Sequence, residues 1–216
     1  MKKQDIFNKL KDSIIVPVVR VENSEDAQKV VDILIEVGIK AAEITMSVKG
    51  AEKVIETLRN KYDNNIIVGA GTVLSKEDAK MVIEYGAEFV VSPCFLEEVV
   101  AVARENNILV APGTFTPTEI IKAYKYGSDF IKVFPASYNG GAKFIKSVKA
   151  VYPFIDLMPT GGVNPDTVID FLEAGSTFLG VGSYIVNNKL VKENKFDEIK
   201  ERALKIVNKV NEYKNK

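Results

Sequence analysis

The chain contains no histidine and no tryptophan, and it has a single cysteine, Cys94, in 216 residues. Without histidine, Ser-His-Asp and Cys-His nucleophilic catalysis are excluded, as are histidine-rich zinc sites and the usual imidazole general base. Acid–base chemistry has to be carried by Lys, Asp, Glu, Tyr, Cys or water. One cysteine cannot form an intramolecular disulfide, which suits a reducing compartment, and we expect a cytoplasmic protein. An excess of one charge is also missing. Lys plus Arg and Asp plus Glu each number 29, so nothing points to nucleic acid or to an acidic surface. No apolar run is long enough to span a bilayer, and residues 1–11 alternate charged and apolar side chains instead of forming an apolar leader core. Neither a nucleic-acid partner nor a membrane partner is expected.

What is present is an ordinary globular composition, 46% hydrophobic and 27% charged, enough for a sizeable core. Short apolar segments at 14–20, 39–46, 66–72, 88–92, 108–112, 129–135, 155–159 and 177–181 read as strands. Helical patterns fill the intervals. A short amphipathic helix over 4–11 presents Ile6, Phe7 and Leu10. Asn23-Ser24 opens a helix that stops at Gly38, and others cover 50–60, 75–85, 96–106, 117–127, 141–150, 164–174 and 196–213. No linker or low-complexity tract interrupts the alternation. Eight strand–helix units in a chain of this length predict one α/β domain over 1–216, a (β/α)8 TIM barrel with an N-terminal helix. The rival architecture is an open doubly wound sheet, but no Gly-x-Gly-x-x-Gly fingerprint follows the first strand.

In a barrel the site forms at the carboxyl ends of the strands. Polar and glycine residues collect there: Arg20, Glu43-Ile44-Thr45, Gly69-Ala70-Gly71-Thr72, Ser92-Pro93-Cys94, Pro112-Gly113-Thr114, Lys132, Thr160-Gly161-Gly162 and Gly180-Val181-Gly182-Ser183. Turn chemistry accounts for much of the Gly and Thr. It does not account for a glutamate in the second strand and a lysine in the sixth. Side chains alternate across a strand, so Ala41, Glu43 and Thr45 share one face and Ala42, Ile44 and Met46 the other. The second set suits packing against helices, which turns Glu43 inward. Phe130, Lys132 and Phe134 likewise share a face. An inward lysine and an inward glutamate from different strands form either a buried ion pair or an amine nucleophile with its acid/base partner. Schiff-base chemistry on a carbonyl needs the latter. The glycine-rich turn Thr160-Gly161-Gly162 leads into a helix over 164–174, whose amino end would bind an anion, and Gly182-Ser183 follows the eighth strand.

Glu43-Ile-Thr45, Gly69-Ala-Gly-Thr72, Ser92-Pro93, Pro112-Gly113-Thr114 with Thr116-Pro117-Thr118-Glu119, Lys132-Val-Phe134-Pro135, Pro159-Thr-Gly-Gly-Val163 and Gly180-Val-Gly-Ser183 together resemble the bacterial 2-keto-3-deoxy-6-phosphogluconate (KDPG) / 4-hydroxy-2-oxoglutarate (KHG) aldolases. The resemblance runs over about 14–186. It implies a class I lyase without metal or cofactor, acting on a small-molecule 2-oxo acid and assembling as a homotrimer. It places the Schiff-base lysine at Lys132 and the general acid/base at Glu43. The pyruvate-carboxylate contact falls on Thr72, the pocket-shaping side chains on Pro93 and Phe134, and the phosphate loops on Thr160, Gly161, Gly162 and Ser183. Thr45 and Gly182, inside the same motifs, are expected at the substrate too. The expected reaction is cleavage of KDPG to pyruvate and glyceraldehyde 3-phosphate, and of KHG to pyruvate and glyoxylate.

The chain departs from the resemblance at one place. Where many members carry an arginine four residues after the glutamate, it has Ser47. Arg20, the other arginine at a strand end, is expected to supply the cationic contact; the competing reading is an ion pair with Glu22. Cys94 reads as a small apolar filler beside the pocket. The rival functions are a 2-dehydro-3-deoxy-6-phosphogalactonate aldolase, a non-covalent phosphate-binding isomerase or synthase, and a silent barrel serving as a trimeric assembly module.

Overall fold

The computed structural model describes residues 1–215. Its strands are β1 (Ile15–Val19), β2 (Ala41–Thr45), β3 (Ile67–Gly71), β4 (Phe89–Val91), β5 (Leu109–Ala111), β6 (Gly113–Thr114), β7 (Ile131–Val133), β8 (Leu157–Pro159) and β9 (Leu179–Val181). Every ladder is parallel. The strands curl in two arcs, β5-β4-β3-β2-β1-β9 and β6-β7-β8. A parallel bridge between Thr160 and Gly180 joins the end of β8 to β9. Only Pro112 separates β5 from β6. A proline has no N–H to give a ladder, so the strand expected over 108–112 ends at Ala111, and a further short strand, not expected, follows at 113–114.

The helices are α1 (Lys3–Ser13), α2 (Ser24–Glu36), α3 (Ala51–Tyr62), α4 (Lys76–Glu84), α5 (Glu97–Glu105), α6 (Pro117–Lys125), α7 (Ala142–Val151), α8 (Val168–Glu173), α9 (Asn188–Lys192) and α10 (Phe196–Lys214). Their starts are chemically marked. The Asn23 side chain accepts the Asp26 N–H, Ser75 accepts that of Asp78, and Thr116 with Glu119 closes a capping box ahead of Pro117. Such caps contribute about 1 kcal/mol each.

Strand and helix ends are mostly shorter than the sequence pattern suggested, and two features depart from it further. The helix expected from 164 begins at Val168, because Thr167 Oγ1 accepts the Asn164 N–H and Asn164 Oδ1 accepts the Asp166 N–H. These local bonds hold 164–167 in turns instead of a helix. The short helix α9 was not expected. Among the described residues, no helix is long and apolar enough to cross a membrane.

Alternation along the strands divides the core in two. Ala42 and Ile44 pack in the cluster that includes Val30, Val54 and Ile55 of the surrounding helices. Ala41 joins an inner cluster with Val16, Ile67, Phe89, Leu109, Phe130, Met158 and Phe178. Helix α1 closes this inner space from the amino side of the sheet. It buries Ile6 and Leu10 there and sets Phe7 edge-on to Phe178, 5.6 Å between centroids. Phe130 and Phe178 stack tilted at 4.7 Å. The aromatic plug lies one layer below Lys132, since Phe130 precedes it by two residues on the same strand face.

Candidate active site

Lys132 lies in the centre of β7, in register with Gly113 on one side and Met158 on the other. Its carbonyl accepts the Thr114 hydroxyl at 3.1 Å, which pins the strand at that point. The side chain is only 5% exposed. Its Nζ is 3.4 Å from Oε1 of Glu43, itself fully buried on β2, and 5.3 Å from the centre of the Phe134 ring. Glu43 pairs in register with Val18 and Gly69. The carboxylate fits because its neighbouring strand carries no side chain where it lies: a Cβ on Gly71 would come within 2.0 Å of Glu43 Oε1. Glu43 Oε2 has no hydrogen-bond partner among the described residues. A buried carboxylate with one oxygen against an amine and one oxygen free can take up and release protons beside that amine.

Above the pair opens a cavity of about 760 Å³, within the range of small-molecule sites. Arg20, Thr72, Pro93, Lys132, Phe134 and Thr160 line it, together with Gly161, Gly162, Gly182 and Ser183. The structure therefore brings ten of the twelve residues anticipated from sequence to one cavity wall, while Glu43 stands directly behind Lys132. Thr45 is set apart. It is fully buried, its hydroxyl lies 3.2 Å from the Val19 carbonyl and 2.8 Å from Ser47 Oγ, and it does not line the cavity.

Arg20 donates to Thr72 Oγ1 at 3.0 Å. The competing pairing with Glu22 does not form, because Glu22 is held by Lys192 at 2.6 Å. Thr72 has φ of 58°. A threonine in this left-handed region is strained, and such strain is tolerated where a side chain must be aimed at a ligand. The Thr160 hydroxyl is buried and without a protein partner, and it sits so close over Gly180 that a Cβ there would be 2.0 Å away.

Cys94 corrects the sequence reading. It is exposed and absent from the cavity wall, since the chain turns outward after Pro93. The loop after β8 also differs from the expected helix amino end, because α8 starts at Val168. The turn residues 161–164 border the cavity there instead.

Sequence reasoning missed Tyr184, Asn187, Asn188, Lys189 and Arg202, which complete the wall. The first four follow the Gly182-Ser183 motif directly, so extending that motif would have found them. Arg202 belongs to α10, and no local signal marks a helical arginine as facing a cavity. Burial holds the Tyr184 phenol above its ordinary pKa, so it remains neutral.

The family described as KDPG and KHG aldolase matches residues 6–202. The 2-dehydro-3-deoxy-phosphogluconate aldolase of Haemophilus influenzae is 35% identical over 197 residues, covering 91% of this chain and 92% of its own. The KHG/KDPG aldolase of Escherichia coli is 31% identical over 193 residues, 89% and 90% of the two chains. A solved structure of KDPG aldolase from Legionella pneumophila holds pyruvate as a covalent carbinolamine intermediate. It superposes with a TM-score of 0.82 at 27% identity, over 95% of this chain and 98% of that one.

Proposed function

Because the chain belongs to the KDPG and KHG aldolase family, we propose that it is a class I aldolase that cleaves 2-dehydro-3-deoxy-6-phosphogluconate to pyruvate and glyceraldehyde 3-phosphate, and 4-hydroxy-2-oxoglutarate to pyruvate and glyoxylate. The observation that carries this reading is the buried Lys132–Glu43 contact at the base of the cavity. Lys132, as the free amine, adds to the C2 carbonyl. Glu43 delivers a proton to the carbinolamine hydroxyl, which leaves as water and gives an iminium. Glu43, now a carboxylate, removes the C4 hydroxyl proton as the C3–C4 bond breaks. The bonding pair moves into the iminium and forms an enamine, and the aldehyde departs. Protonation at C3 and hydrolysis release pyruvate and restore the amine. The Thr72 hydroxyl and the Arg20 guanidinium hold the pyruvyl carboxylate, and Pro93 and Phe134 shape the space around its methyl end. The backbone of Gly161, Gly162, Gly182 and Ser183, with Thr160, receives the far end of the substrate.

The two arcs read as one closed (β/α)8 barrel, a single domain over 1–216. The Thr160–Gly180 bridge and the one-residue gap at Pro112 support this. We further place the protein in the cytoplasm as a homotrimer. Exposed apolar side chains, Tyr124 against Phe154 at 5.2 Å among them, offer subunit contact area; sedimentation as a monomer would remove the trimer.

The decisive experiment is borohydride reduction in the presence of pyruvate. Peptide mass spectrometry is expected to find the pyruvyl adduct on Lys132. An unmodified Lys132, or an adduct on another lysine, rejects the mechanism. Parallel kcat/KM values on KDPG, its galactonate-derived epimer and KHG then assign the substrate.

A further inference from the structure

The cavity carries more positive charge than the chemistry above uses. Arg20, Lys132, Lys189 and Arg202 line it, and among the described residues no carboxylate does, in a chain whose formal charges cancel. Lys132 is spent on the reaction and Arg20 is engaged at Thr72. Lys189 and Arg202 remain, on the side bounded by α9 and α10.

Arg202 is held firmly in that wall. Its Nη1 donates to the Tyr184 carbonyl at 3.3 Å, and its Nη2 donates to Glu198 Oε1 at 2.7 Å. The guanidinium also lies 5.8 Å from the centre of the Tyr184 ring. The packing of α10 does not demand an arginine here, because the helix buries Ile199, Ala203, Ile206 and Val210. A guanidinium has five N–H donors in a rigid fork. Two are used inside the protein, so the others are left for an anion in the cavity. Lys189, at the start of α9, adds a second charge from an exposed position, paired only loosely with Glu193 Oε1 at 3.9 Å.

We propose that Arg202, assisted by Lys189, reads the phosphate of the longer substrate and so sets the preference for a phosphorylated over a non-phosphorylated 2-oxo acid. The inference rests on the aldolase reading above. Lys132 fixes the C2 end, so a substrate with a three-carbon phosphorylated leaving fragment extends toward this wall, whereas one that loses a two-carbon fragment stops short. The backbone of the glycine loops supplies directed N–H groups, and Arg202 supplies the formal charge that they lack.

Steady-state kinetics on both substrates test it. Arg202→Gln is expected to raise the KM for KDPG about tenfold, the usual size for one charge-assisted hydrogen bond. Its kcat should change less than threefold, and the KM for KHG less than twofold. Lys189→Gln should raise the KDPG KM about twofold, as fits an exposed charge. Arg202→Lys should recover part of the loss. Glu198→Gln, which releases the guanidinium from its internal partner, should lower the KDPG KM. Inorganic phosphate should compete with KDPG in the wild type and compete more weakly in Arg202→Gln. Equal rises in KM for the two substrates, or an unmoved KDPG KM in both Arg202→Gln and Lys189→Gln, overturn the assignment. Melting by circular dichroism checks that each variant is folded. Pyruvate trapping on Lys132 separates the two levels: trapping with unmoved KM values sinks Arg202 alone, and no trapping in the wild type removes the aldolase reading with it.

Discussion

The two ends of the sheet treat buried charge in opposite ways. At the amino ends, each of three acidic side chains just ahead of a strand makes two polar contacts. Glu88 accepts Arg59 Nη1 at 2.7 Å and the Val68 N–H at 3.1 Å. Asp129 accepts the Val110 N–H at 2.8 Å and pairs with Lys3 at 2.9 Å. Asp156 accepts the Thr177 hydroxyl at 2.7 Å and lies 3.7 Å from Lys11. At the carboxyl ends, Glu43 keeps one oxygen unpartnered, the Thr160 hydroxyl has no partner, and Thr72 sits in a strained backbone region. An unsatisfied buried polar group costs about 1–3 kcal/mol. The carboxylates of the amino end avoid that cost, although the Ser128 and Ser176 hydroxyls there are also buried without a partner among the described residues and Ile14 has a φ of 62°; at the carboxyl end it is a carboxylate that stays half-bonded. The unpartnered groups at the carboxyl ends lie at the cavity, and those at the amino ends do not.

Substitutions can break this contrast, and the largest effect is expected at the carboxyl end. Lys132→Met should lower kcat/KM for KDPG by ~10³-fold or more while a cooperative thermal transition survives; retention of a tenth of the activity would contradict the nucleophile assignment. Next comes Gly71→Ala. Its new Cβ would displace the Glu43 carboxylate, which lies 2.0 Å away, and a shift of about 1 Å at a catalytic group costs ~10²-fold. A fall in kcat with unchanged pyruvate binding would confirm the route.

At the amino end the signature inverts. Arg59→Ala strands Glu88, and urea unfolding should show a loss of about 2 kcal/mol with normal turnover per folded molecule. Arg20→Ala returns to the cavity with a smaller expected change, a KM for KDPG raised about tenfold, the size of one charge-assisted hydrogen bond; an unchanged KM removes Arg20 from the site.

The smallest effect is a pH dependence at the amino end. Burial holds the Glu88 carboxyl above its ordinary pKa, against the opposing pull of Arg59. The folded chain therefore binds a proton at Glu88 more tightly than the unfolded chain does. Stability from this group is present below the ordinary carboxylate value and is lost as pH rises through the raised one. Unfolding free energies of wild type relative to Glu88→Gln should decline across that window and then level off. A difference that climbs with pH would show that the Arg59 charge, not burial, dominates.

Much of this division was legible in the sequence, for a physical reason. Parity along a strand is a local property, so Glu43 and Lys132 could be turned inward from their neighbours alone. Strand-end motifs likewise located Thr72, Pro93, Gly161 and Ser183, because chain direction fixes which end of a parallel strand opens to the cavity. Contacts made across the chain were not legible. Arg202 reaches the wall only because α10 packs beside α8 and α9. Thr45 has the right parity, but its hydroxyl is already bonded within the structure. Cys94 follows a motif residue, yet the backbone turns it outward. The start of α8 was lost to side-chain bonds at Asn164 and Thr167 that compete with helix formation.

The aromatic plug beneath Lys132 also imposes an order of traffic. With Phe7, Phe130 and Phe178 stacked under the lysine and α1 closing the amino side, the inner end of the cavity is closed. In the proposed Schiff-base reaction the fragment bonded to Lys132 would lie at that inner end, with the departing aldehyde toward the open side. Because pyruvate would stay bonded to the lysine until hydrolysis, the expected order is aldehyde first and pyruvate last, and pyruvate first in the synthetic direction. Product-inhibition patterns follow from this queue: pyruvate competes with the intact substrate for the empty enzyme, and the aldehyde meets only an enzyme already loaded.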